Sequence, residues 1–168
     1  MDEVHFQQYG SRCRMWVAPE IKDPVLRHHP TRKSGGYFGA VRIRDGKFLF
    51  AREETCFDAM TTWKFLRLLH RRGNRGQRRV VVITDNAKYH HAKLHSAWRQ
   101  EQQPQFQLDF LPPYSPDLNP VERVWKLVRK LCIHDEYFPT LAAVISAVET
   151  QFANWTHGNE TLRRLCSI

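Results

Sequence analysis

The sequence of 168 residues predicts a single domain with an α/β fold, in which helices flank a β-sheet. Short β-rich segments near the start follow one another as an antiparallel meander, whereas the segments after residue 56 alternate between helix and strand patterns. Hydrophobic residues make up 42% of the chain, which is enough for a sizeable core. No internal repeat and no linker divides the sequence.

The first half of the chain predicts four strands. Their segments are residues 4–9, 13–18, 37–43 and 47–51. Gly10-Ser11 forms the first turn, and Asp45-Gly46 is a strong hairpin signal because this pair tolerates the positive φ angles of a tight turn.

The second half predicts helices that alternate with strands. The helices cover residues 57–71, 87–100, 120–132 and 140–155, and the strands cover residues 80–84 and 106–111. The run over residues 80–84 is continuous, apolar and β-branched, which is typical of a strand buried on both faces. Helices next to such a strand complete the predicted α/β architecture.

The charge of the chain favours a polyanionic partner. Lys and Arg number 26 against 17 Asp and Glu, a formal net charge of +9, and each cation placed on a phosphate releases condensed counterions. The apolar runs are too short to cross a bilayer and no signal segment is evident, so we expect a cytoplasmic protein without a membrane partner. The cysteines lie far apart without C-x-x-C pairing, which argues against disulfides or a zinc knuckle: Cys13, Cys56, Cys132 and Cys166.

Asp85 is the first candidate for chemistry, because it directly follows the strand predicted over residues 80–84. Ligand-binding crevices form at the carboxyl ends of strands in open α/β sheets. The alternative is that Asp85 or Asn86 caps the following helix, a common role for Asp and Asn.

Glu122 is the second candidate. It follows a stiff segment, LPPYSPDLNP, whose prolines fix φ and prevent a helix. Asn119 suits the N-cap and Pro120 the first helical position, which makes Glu122 the third residue of the helix. The alternative is a capping box, in which Glu122 bonds back to the backbone of Asn119.

Asp2 is the third candidate, at the head of the first strand; the alternative is an exposed terminal acid. Phosphoryl transfer with two metal ions needs several carboxylates that converge on hard cations about 4 Å apart. Asp2, Asp85 and Glu122 together would supply such a set.

Two motifs, "TDNAKYHH" and "LPPYSPDLNPVERVW", closely resemble the catalytic domain of mariner-superfamily transposases, specifically the bacterial insertion sequence 630 branch. The stretch "MDEVHFQQYGSRCRMWVAPE" resembles that family's first catalytic strand. The resemblance implies a ribonuclease-H-like fold with a mixed five-stranded sheet flanked by helices, over residues 1–168. It also implies a catalytic and metal-binding triad of Asp2, Asp85 and Glu122 that holds two Mg²⁺ or Mn²⁺ ions.

The resemblance further implies a DNA transposase that cleaves the ends of an insertion sequence and transfers the strand to target DNA. In the family a helix-turn-helix region precedes this domain, whereas the chain begins at the first catalytic strand, so we expect an N-terminally truncated domain. Its expected partner is DNA, and it would be associated with DNA in the cytoplasm. The sequence leaves open whether the chain forms a homodimer and whether it is active by itself.

Other residues have supporting roles in this interpretation. Asn86 and His90 would contact the metal ligands rather than the metal. Cations that follow Glu122 on the same helix, away from its apolar stripe, would neutralise DNA phosphates, or form a solvated basic face: Arg123, Lys126, Arg129 and Lys130.

Two rival functions fit the same sequence. One is a non-catalytic nucleic-acid-binding remnant of a decayed transposase. The other is a ribonuclease-H-like nuclease that hydrolyses its substrate without strand transfer.

Overall fold

The computed structural model describes residues 1–9, 16–22, 25, 27, 30–74, 78–113 and 115–167, the side chain of residue 116 excepted. The predicted Gly10-Ser11 turn and residues 13–15 of the strand predicted over residues 13–18 lie outside these ranges, and the described residues 16–18 do not form a strand. Within the described residues, no helix is long and apolar enough to cross a bilayer.

Five strands and five α-helices make up the described fold. The strands are β1 (Asp2–Gln7), β2 (Ser34–Arg42), β3 (Lys47–Glu53), β4 (Val80–Thr84) and β5 (Phe106–Phe110). The helices are α1 (Ala59–Gly73), α2 (Ser96–Glu101), α3 (Pro120–Cys132), α4 (Leu141–Ala153) and α5 (Glu160–Leu165). The mixed α/β composition agrees with the predicted class.

The strands form two hydrogen-bonded sheets rather than the single five-stranded sheet that was predicted. β1, β2 and β3 form an antiparallel meander, and β4 pairs with β5 in parallel. The nitrogen of Met1 donates to the carbonyl of Ile83, so β1 starts level with the end of β4. Among the described residues, this hydrogen bond links the two sheets without forming a ladder between them.

The β2–β3 hairpin turns at Asp45-Gly46, as predicted. Gly46 has a φ of 68°, a left-handed conformation in which a side chain is strained. The turn is also packed, because a Cβ on Gly46 would lie 2.6 Å from the backbone nitrogen of Arg163 in α5. The backbone nitrogen of Asn159 donates to the carbonyl of Asp45 at 2.8 Å, which ties the hairpin to the start of α5.

The main core lies where α3 and α4 pack on the β1–β2–β3 sheet. Trp125 of α3 is 1% exposed and packs edge-on against Phe48, with ring centroids 5.6 Å apart. Gly39 makes this possible, since a Cβ there would lie 2.7 Å from Cζ2 of the indole. A second apolar cluster joins α1 to β4 and β5.

Two further predicted elements differ from the structure, and one helix was not predicted. β4 is not buried on both faces, because its alternate residues Val81 and Ile83 are 49% and 41% exposed. The helix predicted over residues 87–100 is two 3₁₀ turns followed by α2, since the extended backbone of Ala87 and Ala92 interrupts it. The short helix α5, capped by the side chain of Asn159, was not predicted.

Candidate active site

Asp2 is a buried carboxylate at the start of β1, only 7% exposed. Its Oδ2 accepts a hydrogen bond of 2.9 Å from the indole nitrogen of Trp125. Burial raises the pKa of Asp2 to about 6, and the charges of Glu122 and Glu3 add to this rise, although the Trp125 bond opposes it. The alternative of an exposed terminal acid is therefore excluded.

Glu122 is the third residue of α3, where the sequence predicts it. The side chain of Asn119 accepts from the backbone nitrogen of Val121 at 3.3 Å, and Pro120 occupies the first helical position. Among the described residues, the Glu122 carboxylate has no hydrogen-bond or ion-pair partner, so the capping box does not form. The charge of Glu122 acts instead on Asp2.

Asp85 follows β4 directly, and its side chain is 51% exposed. Its Oδ1 accepts from the backbone nitrogen of Ala87 at 3.2 Å and lies 2.9 Å from Nδ1 of His90. The bond to Ala87 belongs to a local turn. It does not cap a helix, since the 3₁₀ turn that follows has no side-chain cap.

His90 connects Asp85 to a second carboxylate. The imidazole is fully buried, and its Nε2 lies 3.0 Å from Oε1 of Glu3. Burial lowers the pKa of His90, but the hydrogen bond and charge of Glu3 and the charge of Asp85 outweigh it and raise this pKa overall. The imidazole thus lies between two acids.

Glu3 is a site residue that the sequence analysis missed. Its side chain is only 7% exposed, and Oε2 accepts from the hydroxyl of Tyr89 at 3.1 Å. One ligand atom each from Glu3, Asp85 and His90 lie within 4.8 Å of one another. The available signal was the adjacency of Glu3 to Asp2, but neighbouring strand residues point to opposite faces, so sequence alone could not place both.

The four acids belong to one electrostatic neighbourhood. Burial and the charges of Glu3, Asp85 and Asp2 all raise the pKa of the Tyr89 phenol. Asp2 in turn interacts with Glu122. Hard divalent cations prefer carboxylate oxygens, and such an ion would relieve the repulsion between these acids. The ligand atoms close enough together to hold one such ion come from Glu3, Asp85 and His90, and this group fits a divalent cation. Within the described residues, Asp2 and Glu122 are not part of that group.

Asn86 connects the site to the proline-rich segment rather than to Asp85. Its amide nitrogen donates to the carbonyl of Leu111, the residue after β5. Its Oδ1 lies 3.3 Å from Nε2 of His91, whose ring stacks on Phe110. These contacts hold the ends of β4 and β5 together where the LPPYSPDLNP segment begins.

The four cations proposed to contact DNA divide into two pairs. Arg123 donates to the carbonyls of Leu165 and Ser167 at 3.0 and 3.2 Å, and the guanidinium of Arg129 lies 5.7 Å from the ring centre of Phe6. Lys126 and Lys130 are exposed. Arg123 and Arg129 therefore have structural contacts within the chain.

Comparison with solved structures shows which fold this is. The chain resembles the Mos1 strand transfer complex with a TM-score of 0.70 and 19% identity, and the Mos1 transposase paired-end complex with left transposon end with a TM-score of 0.71 and 18% identity. The Mos1 mariner paired-end complex with Mn gives 0.70 and 18%. Each match covers 98% of this chain and 49% of the Mos1 chain, so the chain spans about half the length of these relatives.

The family follows from the sequence itself. No curated protein matches the chain significantly. The model of the DDE superfamily endonucleases, however, matches residues 1–145, which include all four acids of the site. The chain belongs to the DDE superfamily endonuclease family.

Proposed function

We propose that this chain is the catalytic domain of a transposase of the insertion sequence 630 type, which cleaves DNA at the ends of an insertion sequence and joins the freed 3′ end to target DNA. The membership of the DDE superfamily endonuclease family and the fold shared with Mos1 transposase support this function. The observation that carries it is the buried Asp2 carboxylate, which interacts with a Glu122 carboxylate that has no other described partner.

In this proposal Asp2, Asp85 and Glu122 bind two Mg²⁺ or Mn²⁺ ions. The bound ions would activate the attacking oxygen and stabilise the leaving oxygen of a phosphodiester. The indole of Trp125 orients Asp2, and the imidazole of His90 orients Asp85. Rigid placement of these carboxylates matters because phosphoryl transfer depends mostly on positioning and charge neutralisation.

The partners and the location follow from the same proposal. DNA would be bound twice, as element end and as target, and two copies of the chain would pair the element ends. The Mos1 structures are described as paired-end complexes, which supports such a pairing. The protein would act in the cytoplasm where DNA is accessible, and a helix-turn-helix region would lie upstream of this domain in the intact element.

The test is a cleavage and joining assay with Mg²⁺ or Mn²⁺. The chain, and a version preceded by an apolar segment before Asp2, are mixed with a labelled duplex that carries the element's terminal repeat and with a target plasmid. Transposition predicts a nick at the repeat and a joined product, and both are lost in a Asp85→Asn variant. Nicking without joining supports the nuclease alternative, and Mn²⁺ binding without either reaction supports the non-catalytic remnant.

A further inference from the structure

A groove between α1 and α2 has a strongly basic lining. It encloses about 440 Å³, and its walls come from six residues of these helices: Lys64, Arg67, Leu68, His70, Arg71 and Trp98. We call these six residues the α1 groove. Nothing in the metal-site proposal uses it, since none of the four acids lines it.

Three of its cations form a row. Lys64, Arg67 and Arg71 stand at i, i+3 and i+7, a spacing that places them on one face of α1. Seven residues of α-helix extend over about 10 Å, so the row covers a length comparable to a few nucleotides. All three residues are exposed.

These cations are not neutralised within the described part of the chain. None of the three forms an ion pair there, although the charge of Lys64 acts on Glu53 and the guanidinium of Arg67 lies 5.4 Å from the ring centre of Trp63. The cations of α5 differ, because Glu160 bonds to Arg163 at 2.6 Å and to Arg164 at 2.7 Å.

The floor of the groove is held by the second core cluster. The ring of Trp98 lies 5.1 Å from that of Phe106 and 5.9 Å from that of His70. A capping box between Asp58 and Thr61 fixes the start of α1. The row of cations therefore projects from a rigid support rather than from a loop.

We propose that the α1 groove binds the sugar–phosphate backbone of duplex DNA and is a contact surface separate from the metal site. The proposal rests on the proposed function only in taking DNA as the polyanion. The uncompensated row favours a phosphate chain over a protein partner, whose surface would mix both charges. α1 also packs against β4 and against the 3₁₀ turn that contains His90, so DNA in the groove lies on the half of the domain that carries Asp85.

The test compares the salt dependence of DNA binding in two matched variants. The first is Lys64→Gln with Arg67→Gln and Arg71→Gln; the control is Arg163→Gln with Arg164→Gln, where Glu160 already balances the charge. Glutamine keeps helix propensity close to that of Lys and Arg. Anisotropy of a labelled duplex of arbitrary sequence is measured without metal between 50 and 200 mM KCl, a range chosen because counterion release is measurable there.

Each lost phosphate contact reduces the magnitude of the negative slope of log K against log salt by about 0.9. We expect the magnitude of this slope to fall by about 2 to 3 in the α1 variant and to change little in the α5 control. If the α1 variant unfolds by circular dichroism, the three single substitutions replace it, each with an expected loss of about 1. An unchanged slope in the α1 variant overturns the proposal, whether or not its sedimentation coefficient changes. An equal loss of slope in the α5 control overturns it as well. Because no metal is present, failure of the cleavage proposal leaves this result unaffected.

Discussion

The hydrogen bond from Trp125 to Asp2 leads to the sharpest prediction. Trp125→Phe removes the indole N–H and keeps an aromatic ring in the core. The bond is 2.9 Å long and both residues are buried, so water does not readily replace the lost donor. Hydrogen bonds to charged groups contribute about 1.5–3 kcal/mol. A loss of this size should affect whatever the carboxylate binds.

The expected result is a loss of metal affinity. Removal of a group that orients a metal ligand typically reduces metal affinity 10- to 100-fold, which corresponds to about 1.4–2.7 kcal/mol. This range of binding free energy agrees with the contribution of about 1.5–3 kcal/mol from the hydrogen bond, as expected if the indole acts on Asp2 alone. Titration calorimetry with Mn²⁺ measures this affinity in the variant and its parent.

Trp155→Phe is the matched control. Trp155 belongs to the same core cluster and packs edge-on against Phe48 at 6.2 Å, but no hydrogen bond links it to Asp2. Both variants should lower the urea midpoint, whereas only Trp125→Phe should weaken Mn²⁺ binding. Parental Mn²⁺ affinity in Trp125→Phe would refute the reasoning, since the indole then orients no metal ligand.

Three further predictions test neighbouring features. Glu122→Gln should change the free energy of unfolding by only about 0.3–1 kcal/mol, the charge contribution at a helix N-terminus, but abolish metal-dependent DNA cleavage. If the variant cleaves DNA as fast as its parent, Glu122 has no catalytic role. Gly39→Ala should lower the free energy of unfolding by about 1–3 kcal/mol in urea denaturation, because the new Cβ overlaps the Trp125 indole. Its control is Gly158→Ala, where the atom nearest to the new Cβ would be 3.4 Å away. Equal urea midpoints in the two variants would contradict the packing argument. Gly46→Ala should also lower the free energy of unfolding, by at least about 1 kcal/mol as is typical for a residue with a strained φ angle. An unchanged urea midpoint would contradict this and show that the hairpin can shift away from α5.

The sequence by itself determined the elements whose ends are marked locally. The bounds of α3 were predicted correctly because Asn119 caps the helix and Pro120 suits its first position. β4 was likewise predicted at residues 80–84, since a β-branched run ended by Asp85 and Asn86 is a local signal. The motifs around Asp85 and Glu122 predicted a mariner-superfamily transposase of the insertion sequence 630 branch; the family match confirms a DDE superfamily endonuclease domain, and the branch stays a prediction. The roles of Asp2, Asp85 and Glu122 as a metal-binding triad stay a prediction.

Only the tertiary structure decided which side chains meet. Asp2 and Trp125 are 123 positions apart, and Glu3 and His90 are 87 apart, so no local pattern could pair them. The exposed face of β4 has the same origin, because burial of a strand depends on which helices pack over it. Propensity and capping act over a few residues and leave their mark in the sequence, whereas burial and long-range hydrogen bonds exist only once α3 and the strands have packed together.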